Sequence, residues 1–278
     1  MGLTIHYSFK VHASDARARK LVHALHQTAL ELPFAELGAV LELAGEQCDV
    51  NRHGQDDPLH WLLIQAQQDV EIVSQRRSIR GQVYRAYQWV MPIRLIAFSA
   101  WPGEGCEDCN FGLCQFPAVI ETTDGPIKTR LSGWRWSSFC KTQYASSPKC
   151  GGVPHFLQCH LAVIAILDKA RDLGCLEDVS DEGGFWQKRD LPALVKEVGS
   201  WNEMLAAFGG KLKDLLGDGQ LDVQSEIAQY PNFEQLEAGG QNQLPPGLEK
   251  LAKLVRHLGQ AVPPAPRVQP GFRQTKTP

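Results

Sequence analysis

No segment of this chain stays apolar for long. The longest unbroken run, "LAVIAIL" at 161–167, is far short of the roughly 18 residues that suggest a membrane span, so no membrane partner is expected. The opening, "MGLTIHYSFKVHASD", lacks the apolar core and small-residue cleavage site of a secretory signal. His6 also stands where a myristoylation pattern asks for Ser or Thr. A large positive charge is missing as well. The formal net charge is −3, whereas a dedicated nucleic-acid binder carries a strongly basic domain. Walker A, G-x-G-x-x-G, H-E-x-x-H and G-x-S-x-G patterns are all absent, which removes support for the commonest nucleotide, zinc-protease and serine-hydrolase chemistries. Together these absences predict a cytoplasmic protein. Thiols stay reduced there, so the eight cysteines are expected to be buried residues, metal ligands or redox groups rather than disulfides.

What remains is ordinary globular material, 43% apolar and 21% charged. In "LTIHYSFKV" Leu3, Ile5, Tyr7, Phe9 and Val11 alternate with polar residues, the period of a half-buried strand. His6, Ser8 and Lys10 project from its other face. Ser14 or Asp15 caps a helix running to Leu32, before Pro33. "GAVLELAG" suggests a strand, "LHWLLIQAQQDVEI" is ambiguous, and "VYRAYQWVMPIRLIAFSAW" predicts strand on both sides of Pro92. "GWRWSSFCKTQY" alternates again, with Phe139 out of phase. A buried helix then runs to Gly174, "CLEDVS" follows as a strand, and a long helix opens at Asp190.

The predicted fold is therefore α+β: a mainly antiparallel sheet with helices on one face. The globular body spans 1–217, with two β-α-β-containing halves at about 1–100 and 101–217 as a suggested division. A polar linker at 218–247, a short amphipathic helix at 248–259 and a disordered, Pro-rich tail at 260–278 complete the chain. From Pro246 onward six basic residues face Glu249 alone, so the tail is basic; it could touch its own body, a partner or RNA, and nucleic acid is not expected elsewhere.

"GEGCEDCNFGLC", at 103–114, holds three cysteines spaced C-x2-C-x4-C. As a zinc site, Cys106 and Cys109 would supply two thiolates from one turn. His155 and Cys159, at i and i+4 on one helical face, would supply the other two ligands. Cys114, Cys140 and Cys150 are spare candidates. No complete short zinc motif exists, however. As a redox pair, Cys106 and Cys109 are crowded by Glu104, Glu107 and Asp108, which oppose a reactive thiolate. The preferred reading is a surface loop carrying Cys106 and Cys109, with Cys114 packed beneath it.

Catalytic candidates are Cys140 as nucleophile with His155 or His160 nearby, and Asp181 with Glu182 in the acidic turn 178–190. That turn has an ordinary alternative as a bend followed by a helix cap at Asp190. Trp134, Trp136, Tyr144 and Trp186 could line an aromatic pocket. The leading functional expectation is a binding or regulatory module that uses a sheet face or an aromatic pocket for a protein or small-molecule partner. The alternatives are a hydrolase with its site near 134–144 and 178–190, or a zinc-stapled interaction protein.

Overall fold

Strand β1 (Thr4–Val11) keeps the predicted alternation in the computed structural model, which describes residues 3–79, 82–123, 125–216, 227 and 230–240. Leu3, Ile5, Tyr7 and Phe9 are buried, and His6 is exposed. Helix α1 (Asp15–Leu30) begins where Ser14 Oγ accepts the Arg17 N–H, and it buries Ala18, Leu21, Val22, Leu25 and Ala29. Two short strands follow, β2 (Glu36–Leu37) and β3 (Leu41–Ala44). The ambiguous segment resolves into helix α2 (Pro58–Gln65) and strand β4 (Gln68–Ile79), which pairs with β5 (Gln82–Val90) as an antiparallel hairpin.

After Pro92 come β6 (Arg94–Trp101) and β7 (Cys109–Gln115), then the small hairpin of β8 (Val119–Thr122) and β9 (Gly125–Lys128). Strand β10 (Trp134–Lys141), helix α3 (Gly152–Asp172) and strand β11 (Leu176–Asp181) complete the frame. A short α4 (Phe185–Lys188) precedes α5 (Leu191–Leu216). Asp190 Oδ1 accepts the Ala193 N–H at 3.0 Å, as the predicted cap requires.

The main sheet runs β11–β1–β10–β7–β6, with β2 and β3 both on β6, and every pairing is antiparallel. The fold is thus α+β with a mainly antiparallel sheet. On one face Tyr7, Phe9, Phe98 and Phe111 form a run of rings, with Tyr7 and Phe111 centroids 5.2 Å apart. Helices α1 and α3 pack on this face. His26 of α1 meets Phe98 edge-on, and Phe111 is wholly buried, worth about 1.5–3 kcal/mol in transfer alone.

Successive side chains point to opposite faces, so Ala97, Asn110 and Cys114 point away from those helices. Here the β6–β7 end is covered by α2 and the β4–β5 hairpin, where Asn110 Nδ2 donates to Gln65 Oε1. Leu62, Leu63, Ala66 and Val90 belong to the same buried cluster as Leu95, Ala97 and Cys114.

The β10–β7 junction differs from its neighbours. β1 pairs with β10 along eight residues, whereas β10 registers with β7 only at Arg135↔Cys114. Side chains bridge the gap: the Asn110 carbonyl accepts Tyr7 Oη–H at 2.8 Å and Trp136 Nε1–H at 2.9 Å. Burial, with Cys109 nearby, raises the Tyr7 pKa well above its usual value and keeps the phenol a donor.

The chain divides into two compact units, Met1–Trp201 and Asn202–Pro278. In the second unit α6 (Phe233–Gly240) approaches Glu203 through Gly239 and Gly240. A helix therefore lies inside the segment expected to be a polar linker. Among the described residues no helix is long and apolar enough to cross a membrane. The helix expected at 248–259 and the tail at 260–278 lie outside the described residues.

Candidate functional site

The cysteine stretch is not a surface loop throughout. Cys109 opens β7 and is fully buried, as is Cys114, while Cys106 alone of the three is partly exposed. Nor do the C-x2-C thiols act together. Cys106 packs against the cluster that holds Cys159 of α3, whereas Cys109 and Cys140 of β10 belong to the main core. Cys109 also donates to the Ala100 carbonyl at 3.4 Å. His155 and Cys159 do share a helical face, with Nε2 3.6 Å from Sγ. The proposed zinc set is thus split, with Cys106, His155 and Cys159 on one side and Cys109 in the main core. Among the described residues no group of three or more His, Cys, Asp or Glu side chains is arranged to hold a metal ion.

The expected catalytic candidates are engaged in packing. Cys140 is fully buried and donates to the Glu107 carbonyl at 3.3 Å. The adjacent Cys109 thiol and burial push the Cys140 thiol well above the usual range, the opposite of an activated nucleophile. His155 is held on the Glu104 carbonyl, 3.1 Å from Nε2, rather than on Cys140. Asp181 is buried. It accepts N–H groups of Gly183 and Trp186 at 2.8 Å each, and its Oδ2 lies 3.5 Å from His160 Nε2. His160 Nδ1 in turn contacts Thr142 Oγ1 at 3.0 Å. Glu182 accepts the Thr4 N–H at 2.9 Å, so the acidic turn ties α3, β1 and β11 together.

The four aromatics do not gather in a pocket. Trp134 and Trp136 are each only 1% exposed and belong to the core, because the inward face of β10 meets the helices. Tyr144 lies under Lys141, and Trp186 under Arg171 and Arg189.

A cleft does form on the other sheet face, where the α2 and β4–β5 cover stops. Its volume is about 500 Å³, within the range of small-molecule sites. The floor is the open face of β1, β10 and β11, built from His6, Ser8, Ser137, Phe139 and Asp178. Cross-strand pairs His6↔Phe139, Ser8↔Ser137 and Ser8↔Asp178 set these residues side by side. The wall brings Gln65, Gln68, Asp69 and Trp89. Trp89 is 63% exposed and Phe139 42%, and the His6 ring lies 5.8 Å from Phe139. Among the described residues neither Asp69 nor Asp178 has an ion-pair partner.

Sequence alternation marks His6, Ser8 and Ser137 as outward-facing, and Phe139, the apolar residue out of phase, lies on the same face. Trp89 and Asp69 carry no such mark, since only the tertiary placement of their hairpin brings them to β1. No family model, curated protein sequence or solved structure matches this chain.

Proposed function

We propose that this protein is a binding module whose ligand occupies the sheet-face cleft. The observation that carries the reading is the combination, in one concave site, of two exposed ring faces, Trp89 and Phe139, with two unpaired carboxylates, Asp69 and Asp178. Aromatic faces and carboxylates both attract positive charge, so the preferred ligand is a small cation or a flat, donor-rich ring compound. The Ser8 and Ser137 hydroxyls and the amides of Gln65 and Gln68 then fix its orientation.

Thermal-shift screening of ring amines and quaternary ammonium compounds tests this reading. A ligand at about 100 times its Kd adds roughly 2.7 kcal/mol of stability to the wild type. Trp89→Ala and Asp178→Asn should each lose that gain while keeping the unliganded melting temperature, since both side chains are exposed. A gain that survives both substitutions would overturn the placement.

One observation favours a second, hydrolytic reading. His6 and Asp178 occupy the same cleft, and general acid–base catalysis uses an imidazole and a carboxylate within reach of one substrate. Turnover of a bound ester or amide that His6→Gln abolishes, with binding retained, would select this reading over simple binding.

A further inference from the structure

The loop between β6 and β7 is laid onto the 143–146 turn and the start of α3 by two glycines. Gly105 has φ +77°, and a Cβ there would come within 2.5 Å of the Ala145 backbone nitrogen. Gly103 has φ +146°, and a Cβ would lie 2.8 Å from the His155 ring and 3.4 Å from Cys159 Sγ. No other residue type fits either position without displacing that contact. The consequence is that Cys106, partly exposed on the loop, packs into the cluster that contains the fully buried Cys159. His155 lies against the same sulfur, 3.6 Å from Nε2.

We propose that Cys106 and Cys159 are a redox-active dithiol, which hydrogen peroxide closes to a disulfide joining the 102–107 loop to α3. The geometry distributes the roles. Cys106 is the partly exposed residue of the two, and the fully buried Cys159 is the resolving cysteine. His155 Nδ1, 4.0 Å from Cys159 Sγ while Nε2 faces the Glu104 carbonyl, takes one thiol proton and leaves the other to be shared by the Cys106 and Cys159 sulfurs. The contact between the two thiols lowers the pKa of Cys159 and raises that of Cys106.

When the shared proton sits on Cys159, the Cys106 thiolate attacks one peroxide oxygen. The O–O bond breaks, Cys106 becomes a sulfenic acid, and the departing hydroxide takes the Cys159 proton to leave as water. The Cys159 thiolate then attacks the Cys106 sulfur, the S–O bond breaks, and the second hydroxide leaves as water with the His155 proton. Two thiols lose two electrons in all, and one peroxide becomes two waters. An external dithiol reverses the process by exchange. Glu104, Glu107 and Asp108 flank the site, and their negative field favours a neutral oxidant over an anionic one such as glutathione disulfide.

The test treats reduced, full-length protein with limiting hydrogen peroxide, caps remaining thiols, and maps peptides without reduction. The expected first product is a cross-link between the Cys106 and Cys159 peptides. In Cys159→Ser, oxidation should stop at a Cys106 sulfenic acid that dimedone traps. At equal concentration, glutathione disulfide should react about tenfold more slowly or worse. A Cys109–Cys140 cross-link as first product would overturn the assignment. So would wild-type Cys106 proceeding to sulfinic acid as fast as it does in Cys159→Ser. The wild-type map stands even if the variant fails to fold.

Discussion

Asp181 keeps its charge although burial works against it. Burial raises its pKa, but the neighbouring His160 and the N–H groups of Trp186 and Gly183 outweigh that effect, so the net shift is downward. A depressed carboxylate pKa contributes stability above the unfolded value, near 3.8, and loses it as pH falls through the lower folded value. Asp181→Asn should therefore cost about 3 kcal/mol at neutral pH. In urea titrations the gap from wild type should close as pH drops below about 3.8. A gap that stays constant with pH would mean that packing, not charge, carries the effect.

His53 runs the other way. The Gln47 carbonyl, 3.1 Å from Nε2, and Asp57 Oδ2, 3.1 Å from Nδ1, raise its pKa. Its contribution is complete below the unfolded value of about 6.5 and is lost as pH rises through the folded one. Proton NMR should find its ring titrating above 6.5, and Asp57→Asn should lower that midpoint.

Strand β7 shows how an element can escape its own sequence. "CNFGLCQ" has no alternation because the strand is covered on both faces, and period 2 appears only where one face meets water. Cysteine and glycine, poor strand formers, conceal it further. Gly112 is there for space: opposite Ala97, a Cβ would meet the Ala97 side chain and lie 2.7 Å from the Ile96 carbonyl. Those neighbours are backbone or fixed by it and have nowhere to move. Gly112→Ala should therefore destabilise by about 2 kcal/mol, read as a lower urea midpoint.

Helix α2 was decipherable in principle. Its eight apolar-rich residues fit helix or strand, but Asp57 followed by Pro58 is a start signal, and Asp57 Oδ1 accepts the Leu59 N–H at 2.9 Å. β1, α1 and β10 were plain for the opposite reason to β7, since each turns only one side to the core.

At the scale of the whole molecule, periodicity reveals which face a side chain takes but not what lies across from it. That is why β1's polar face was visible as a surface, whereas the hairpin that makes it a cleft was not. The zinc reading set Cys106 beside Cys159, 53 positions away on α3, but spacing alone did not separate Cys109 from them. Burial also divides the eight thiols. Cys106 and Cys150 are partly exposed, and the other six are buried, with burial lifting Cys48 and Cys175 to about 11. Native reduced protein should thus show two thiols that iodoacetamide alkylates ahead of the rest, and all eight only after denaturation. A third thiol that reacts as fast would mean that one of the buried sites opens.

The thin ladder between β10 and β7 has its own consequence for motion. Backbone amides exchange with solvent deuterium through cooperative openings, and a unit's boundary falls where few ladder bonds cross. The main sheet should accordingly protect its amides in two blocks, β11–β1–β10 and β7–β6 with β2 and β3. Removing the Trp136 and Tyr7 donors that meet at the Asn110 carbonyl should make the amides along that border the first to exchange.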